Sequence, residues 1–212
     1  MFKKILIGIV LLVVIVSIAS SGGDDKVSPT SAPVGTTSNP QSEATPDKPQ
    51  EPAKPTVKTY KAGMYKIGQD MPAGEYVLMA NSMAYYQATK DSTGQLESII
   101  SNDNFSNRSI ITVVDGQYLT LRNCTAYAFN DAPKVKLSAD GFLPEGMYKV
   151  SIDLPAGEYK ATADSMGYAE VSSNSSHDMG NIVSNDNFQG EKYITVKDGQ
   201  YLKLTRAKIK VK

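Results

Sequence analysis

One cysteine, one histidine and no tryptophan occur in 212 residues. The lone Cys124 cannot close an internal disulfide, so a part folded outside the cell has to stand on its core. Its expected place is that of a small buried apolar residue on a strand. The lone His177 excludes H-E-x-x-H and every set of several histidines, and no G-x-S-x-G or phosphate-cradling glycine loop is present. Catalysis finds little support, and we expect no enzyme. Tryptophan, a frequent platform for sugars, is missing. An excess of either charge is missing too, because 22 basic residues balance 22 acidic ones. That balance implies no global electrostatic partner and no nucleic acid. Nor does the body of the chain sustain helical spacing for three turns; only Gln95 to Ile100 has room for a single turn.

What is present begins with targeting. Lys3 and Lys4 precede an apolar run from Ile5, and Ile5 to Ser21 makes 17 residues. This length lies between a signal-peptide core and a spanning helix. Ser17-Ile18-Ala19 would serve as a cleavage site, and Gly22-Gly23-Asp24-Asp25 as a polar stop outside a retained anchor, with the balance towards the anchor. Either reading leaves residues 1–21 as signal or membrane anchor and places the rest outside the cytoplasm, tethered or secreted. No cysteine follows the run, so attachment at a lipobox is excluded. Residues 22–59 are rich in Pro, Ser, Thr, Lys and Glu, with Pro29, Pro33, Pro40, Pro46, Pro49, Pro52 and Pro55 spaced through them. Such a segment buries too little to offset its ordering entropy and reads as a disordered linker. In the polyproline regime it would reach on the order of 100 Å.

Beyond the linker the chain repeats itself. Residues 63–129 and 146–212 align without a gap at an offset of 83, with 30 of 67 positions identical. The shared words are GMYK, PAGEY, SNDNF and DGQYL. We read residues 60–130 as the first copy, 131–145 as a linker and 146–212 as the second copy. Tyr65, Ile67 and their partners Tyr148, Val150 alternate with polar neighbours, as half-buried strands do. Met71-Pro72-Ala73-Gly74, repeated from Leu154, fits a type I turn. For the last strands, a three-residue loop Lys197-Asp198-Gly199 would pair Ile194 with Leu202. It would also gather Ile194, Val196, Leu202 and Leu204 on one face, with glycine in the left-handed position. Ile111, Val113, Leu119 and Leu121 repeat that face. The fold class is therefore all-β: two tandem small antiparallel sandwich or barrel repeats behind an N-terminal apolar helix and the linker. A domain of this size without disulfides is marginal, which favours packing of the two copies on each other.

The pattern G-x-Y-K-[IV]-x-x-D-x-P-A-G-E-Y, then S-N-D-N-F, then D-G-Q-Y-L resembles a family of exported β-domains. These occur chiefly in Gram-positive bacteria, behind an N-terminal anchor and a low-complexity linker. The resemblance covers both copies. It implies the placement and an all-β fold, and it carries no settled activity.

Three constellations remain. Asn102, Asp103 and Asn104, with Asn185, Asp186 and Asn187, offer hard oxygens suited to Ca²⁺, although adjacent strand residues alternate in direction. An Asx-turn or cap, with Phe105 or Phe188 holding the loop, is the plainer reading. Tyr85 and Tyr168 are the ligand-binding candidates among the shared tyrosines, because they follow a Ser-Met pair and precede the most divergent segment, Gln87 to Glu97 against Glu170 to Gly180. The basic end, Lys203, Arg206, Lys208, Lys210 and Lys212, suits anionic polymers or headgroups, or else a protected edge strand. The acids Asp70, Glu75, Asp103 and Asp115 recur as Asp153, Glu158, Asp186 and Asp198, where turn roles suffice for most. The expected function is non-catalytic binding of a cell-envelope component: a wall polymer, a glycan or a surface protein. The alternative is a structural spacer, passive or stiffened by Ca²⁺, with no dedicated ligand.

Overall fold

The computed structural model describes residues 57–211, so the apolar segment and nearly all of the proline-rich linker lie outside the described residues. The described residues are all-β and form two six-stranded sheets, one for each copy, with no α-helix. None of their helical turns is long and apolar enough to cross a membrane. The turn expected near Gln95 is a short 3₁₀ turn, Leu96–Ser98.

The first copy runs β1 (Thr59–Tyr60), β2 (Gly63–Lys66), β3 (Gly74–Thr89), β4 (Ile99–Phe105), β5 (Arg108–Val113) and β6 (Tyr118–Ala128). Its centre is the 16-residue β3, flanked along one side by β6 and along the other by β5 and then β4. A register shift between Ala80 and Tyr85 breaks β3 into two halves. Residues from both halves, Tyr76 and Leu78, then Ala84, Tyr86 and Ala88, share one core with Ile111, Val113, Leu119 and Leu121. One core fed from both halves requires the sheet to curl round it, and an irregularity in a long strand is the usual device for such a bend. Cys124 lies in that core, and burial pushes its thiol up to about 11.

The second copy repeats the plan with β7 (Phe142–Leu143), β8 (Gly146–Lys149), β9 (Gly157–Ser172), β10 (Ile182–Val196), β11 (Tyr201–Thr205) and β12 (Lys208–Lys210). Strand β7 falls inside the segment read as linker. It pairs with β12, and Val135 and Leu137 of that segment pack on the second core.

Two expectations are corrected. The strands around Asp-Gly do not form a hairpin: β10 pairs with β9, β11 pairs with β8 and β9, and Ile194 does not face Leu202. The face itself is as expected, since Ile194, Val196, Leu202 and Leu204 all enter one core, and Gly199 has φ +78°. Likewise β12 is not an edge, because β9 and β7 flank it on either side. Lys208 and Lys210 stand on its exposed face over the ring of Phe142, at 5.2 and 5.6 Å.

Four of the eight shared tyrosines brace bends. Tyr65, Tyr76, Tyr148 and Tyr159 each donate their hydroxyl to the carbonyl four residues upstream, at 2.7–2.9 Å. The bonds to Pro72 and Pro155 lock the turn that opens the long strand.

Candidate functional site

The residues of SNDNF lie in extended strand in both copies, so neither an Asx-turn nor a cap describes them. Register places Asn104 opposite Tyr85 and Asn102 opposite Gln87, which puts these four on one face; Asp103, opposite Tyr86, points to the other. Asn187 and Asn185 stand in the same way opposite Tyr168 and Glu170. The structure thus joins two constellations that are separate in sequence. Asn102 Nδ2 donates to the Tyr85 hydroxyl at 3.2 Å, and Asn185 Nδ2 to the Tyr168 hydroxyl at 3.3 Å. Each tyrosine hydroxyl in turn donates along its own strand, Tyr85 to Gln87 Oε1 at 2.8 Å and Tyr168 to Glu170 Oε2 at 2.5 Å. Burial, then the bond to Glu170, raises the Tyr168 hydroxyl well above its ordinary value. Both tyrosines remain partly exposed, and Asn104, Asn185 and Asn187 are open to solvent. Arg122 lies 5.7 Å from the ring centre of Tyr85 and shields that ring; Thr205 faces Tyr168 instead.

The carboxylates of the motif are already engaged. Asp103 Oδ2 lies 2.6 Å from Lys203 Nζ, and Asp186 Oδ2 lies 2.7 Å from Lys192 Nζ. Among the described residues no cluster of three His, Cys, Asp or Glu side chains is placed to hold a metal. Of the other shared acids, Asp70 and Asp153 each accept the N–H four residues upstream, at 2.8 and 2.9 Å. Asp198 accepts from Ser151, while Asp115 lies against Gly68 at the equivalent place.

The two copies meet along a seam that sequence reasoning did not locate. Val77 and Ile110, on the outer face of the first sheet, form an apolar cluster with Met147 and Tyr201 of the second. Glu75 is the polar centre: it accepts from Lys149 at 2.8 Å, from Ser175 at 2.8 Å and from Tyr201. Burial pulls the Lys149 ammonium down, but its bonds to Glu75 and Tyr201 outweigh that and hold it raised. Thr112 closes the group, with its hydroxyl 2.8 Å from Ser175 and its N–H on the Ser175 carbonyl at 2.9 Å. The divergent segment of the second copy is therefore a docking loop. His177 caps the free edge of β5 through Nε2 and the Ile110 carbonyl at 2.7 Å, and its ring packs 5.3 Å from that of the buried Tyr86. Burial and the nearby Lys203 lower the His177 pKa.

A cavity of about 320 Å³ opens beside the seam, between Phe105 and Arg108 on one side and Met147, Lys203 and Arg206 on the other. Two of its charges are paired, Arg108 with Asp153 at 3.4 Å and Lys203 with Asp103, while Glu145 accepts the backbone N–H of Arg206 at 2.8 Å. Arg108 Nε and Ser109 Oγ are buried without a partner. Arg108 and Ser109 align with Glu191 and Lys192, so the seam residues most changed between copies were those that identity alone passes over. The charge reversal between Arg108 and Glu191 is the signal that would have found the first of them.

No family model matches the chain, and neither a curated protein nor a solved structure matches it.

Proposed function

We propose that this tandem of small sandwich- or barrel-like modules is a non-catalytic, extracytoplasmic binding protein for a cell-envelope polymer, held at the membrane by its N-terminal segment or released from it. One observation carries the reading: a partly exposed tyrosine and two asparagines, linked by the same bond, stand on the outer sheet face of both copies. Carboxamides and a phenol hydroxyl beside an aromatic edge match the hydroxyl and amide groups of a glycan, and a sheet face presents them as one rigid surface. Most of the shared acids, Glu158 apart, support a non-catalytic role, because they are occupied by turns, lysines and the seam.

The test is co-sedimentation of a soluble form starting at Val57 with purified cell walls, with and without anionic polymers, at low and high salt. Salt-resistant binding reduced at least ~10-fold by Tyr168→Ala, roughly a 1.4 kcal/mol loss, supports the reading. Binding abolished by salt but indifferent to both tyrosines would assign it to the lysines near β12 instead. A second reading, a structural spacer, is favoured by the seam that ties the copies together. Calcium would have to displace a lysine from Asp103 or Asp186, so a spacer of this kind is expected to melt at the same temperature in Ca²⁺ and in chelator.

A further inference from the structure

The seam joins a carboxylate face on the first copy to a lysine face on the second, and each copy also carries the face it does not use. The residues at its polar centre are Glu75 and Thr112 on the carboxylate face, and Met147, Lys149, Tyr201 and Ser175 on the lysine face. At the offset of 83 they correspond to Glu158 and Thr195, and to Met64, Lys66, Tyr118 and Ser92. All six are identical. Identity in the cores follows from packing, but these positions have no such reason, since Glu158, Thr195 and Ser92 face solvent. Met64 is 54% exposed where Met147 is 1% exposed. The unused lysine face is also preformed: Lys66 Nζ stands 5.5 Å from the Tyr118 ring centre, as Lys149 Nζ stands 5.2 Å from that of Tyr201.

We infer that the open carboxylate face of the second copy docks on the open lysine face of the first copy in another molecule, repeating the internal seam between chains. Glu158 would accept from Lys66, Tyr118 and Ser92 of its neighbour, with Thr195 closing the group. Such contacts are heterologous, so they propagate head to tail rather than closing a two-fold dimer. The surrounding residues set the strength. Val77 and Ile110 are replaced by Lys160 and Tyr193, which removes part of the apolar patch. Arg108, which meets Asp153 inside the chain, is replaced by Glu191, which would meet Asp70. One like-charge pair therefore opposes the contact, and association is weak and reversible at low density. Lys160 and Glu191 meanwhile pair with each other at 2.6 Å in the single chain.

The experiment uses full-length chains in vesicles, with Lys160→Cys in one preparation and Met64→Cys in the other. Both positions are exposed, and native Cys124 is buried beyond a reagent's reach. A bis-maleimide should link the mixture into dimers and leave each preparation alone as monomer. Adding Glu158→Lys to the first or Lys66→Glu to the second should abolish the dimer, and combining both changes should restore it. Glu191→Arg, which recreates the Arg108–Asp153 pairing towards Asp70, should raise the yield severalfold. A mixture that crosslinks no more than either preparation alone, or charge changes without effect on the yield, would overturn the inference.

Discussion

Glu75 and Glu158 occupy the same place in the same repeated word, yet only Glu75 is gripped by a lysine, a serine and a tyrosine. Removing a partly buried acceptor leaves its donors unpaired, and bonds to charged groups are worth ~1.5–3 kcal/mol each way. Glu75→Ala is therefore expected to lower stability by about 2 kcal/mol in denaturant titration, and Glu158→Ala by less than about 0.5 kcal/mol. Equal losses would show that the seam is not where the residue acts. His177 carries a pH dependence of its own. Its folded-state pKa lies below the ordinary 6.5 because burial and Lys203 disfavour the cation, partly offset by the bond to the Ile110 carbonyl and by Asp103 and Glu170. Below 6.5 the unfolded chain binds a proton that the fold resists, so this contribution is complete above that pH and is lost as pH falls through the folded value. Between pH 7.5 and 5 the wild type should lose more stability than His177→Gln, which keeps an N–H for the Ile110 carbonyl. Residue identity singled out Tyr85 and Asn102 as candidates, because both survive duplication. It hid Arg108 and Lys203, whose importance lies in differing from Glu191 and Thr120.

Strand elements were legible as faces and not as neighbours. Alternation told which residues of β10 and β11 enter the core, and all of them do. It could not tell that β9 lies between them, because period-two patterning fixes the side of a sheet and leaves the partner open. The basic end was misplaced for a related reason: Lys208 and Lys210 alternate as on an edge, while β7, only two residues long, covers that edge. One glycine shows how closely the sheets approach. A Cβ on Gly146 would meet Arg108 Cγ at 3.0 Å and the Arg108 carbonyl at 3.2 Å, whereas one on Gly63 would meet only ordinary contacts from 3.5 Å. Both glycines have positive φ, so strain is common to the two substitutions and the difference reports the seam. Gly146→Ala should cost ~1–3 kcal/mol more than Gly63→Ala, measured by urea unfolding.

For the molecule as a whole, the two small cores are tied by Val77, Ile110, Met147 and Tyr201 and by the docking loop. Domains of this size gain stability from each other's surfaces. A single unfolding transition is expected, and Val77→Lys with Ile110→Tyr, the residues the second copy carries, should split it into two. The seam also explains why the loop that differs most between copies is the one that docks. In the first copy the same loop faces solvent, with Asp91 accepting from Thr93 and Ser98.

Binding of an envelope polymer by the repeated tyrosine–asparagine face is best tested by a side-chain amide NMR titration with solubilised wall fragments. Saturable shifts are expected at Asn102, Asn104, Asn185 and Asn187, and Tyr168→Ala should reduce those of the second copy. Shifts absent there, or confined to the region of Lys208 and Lys210, would contradict it.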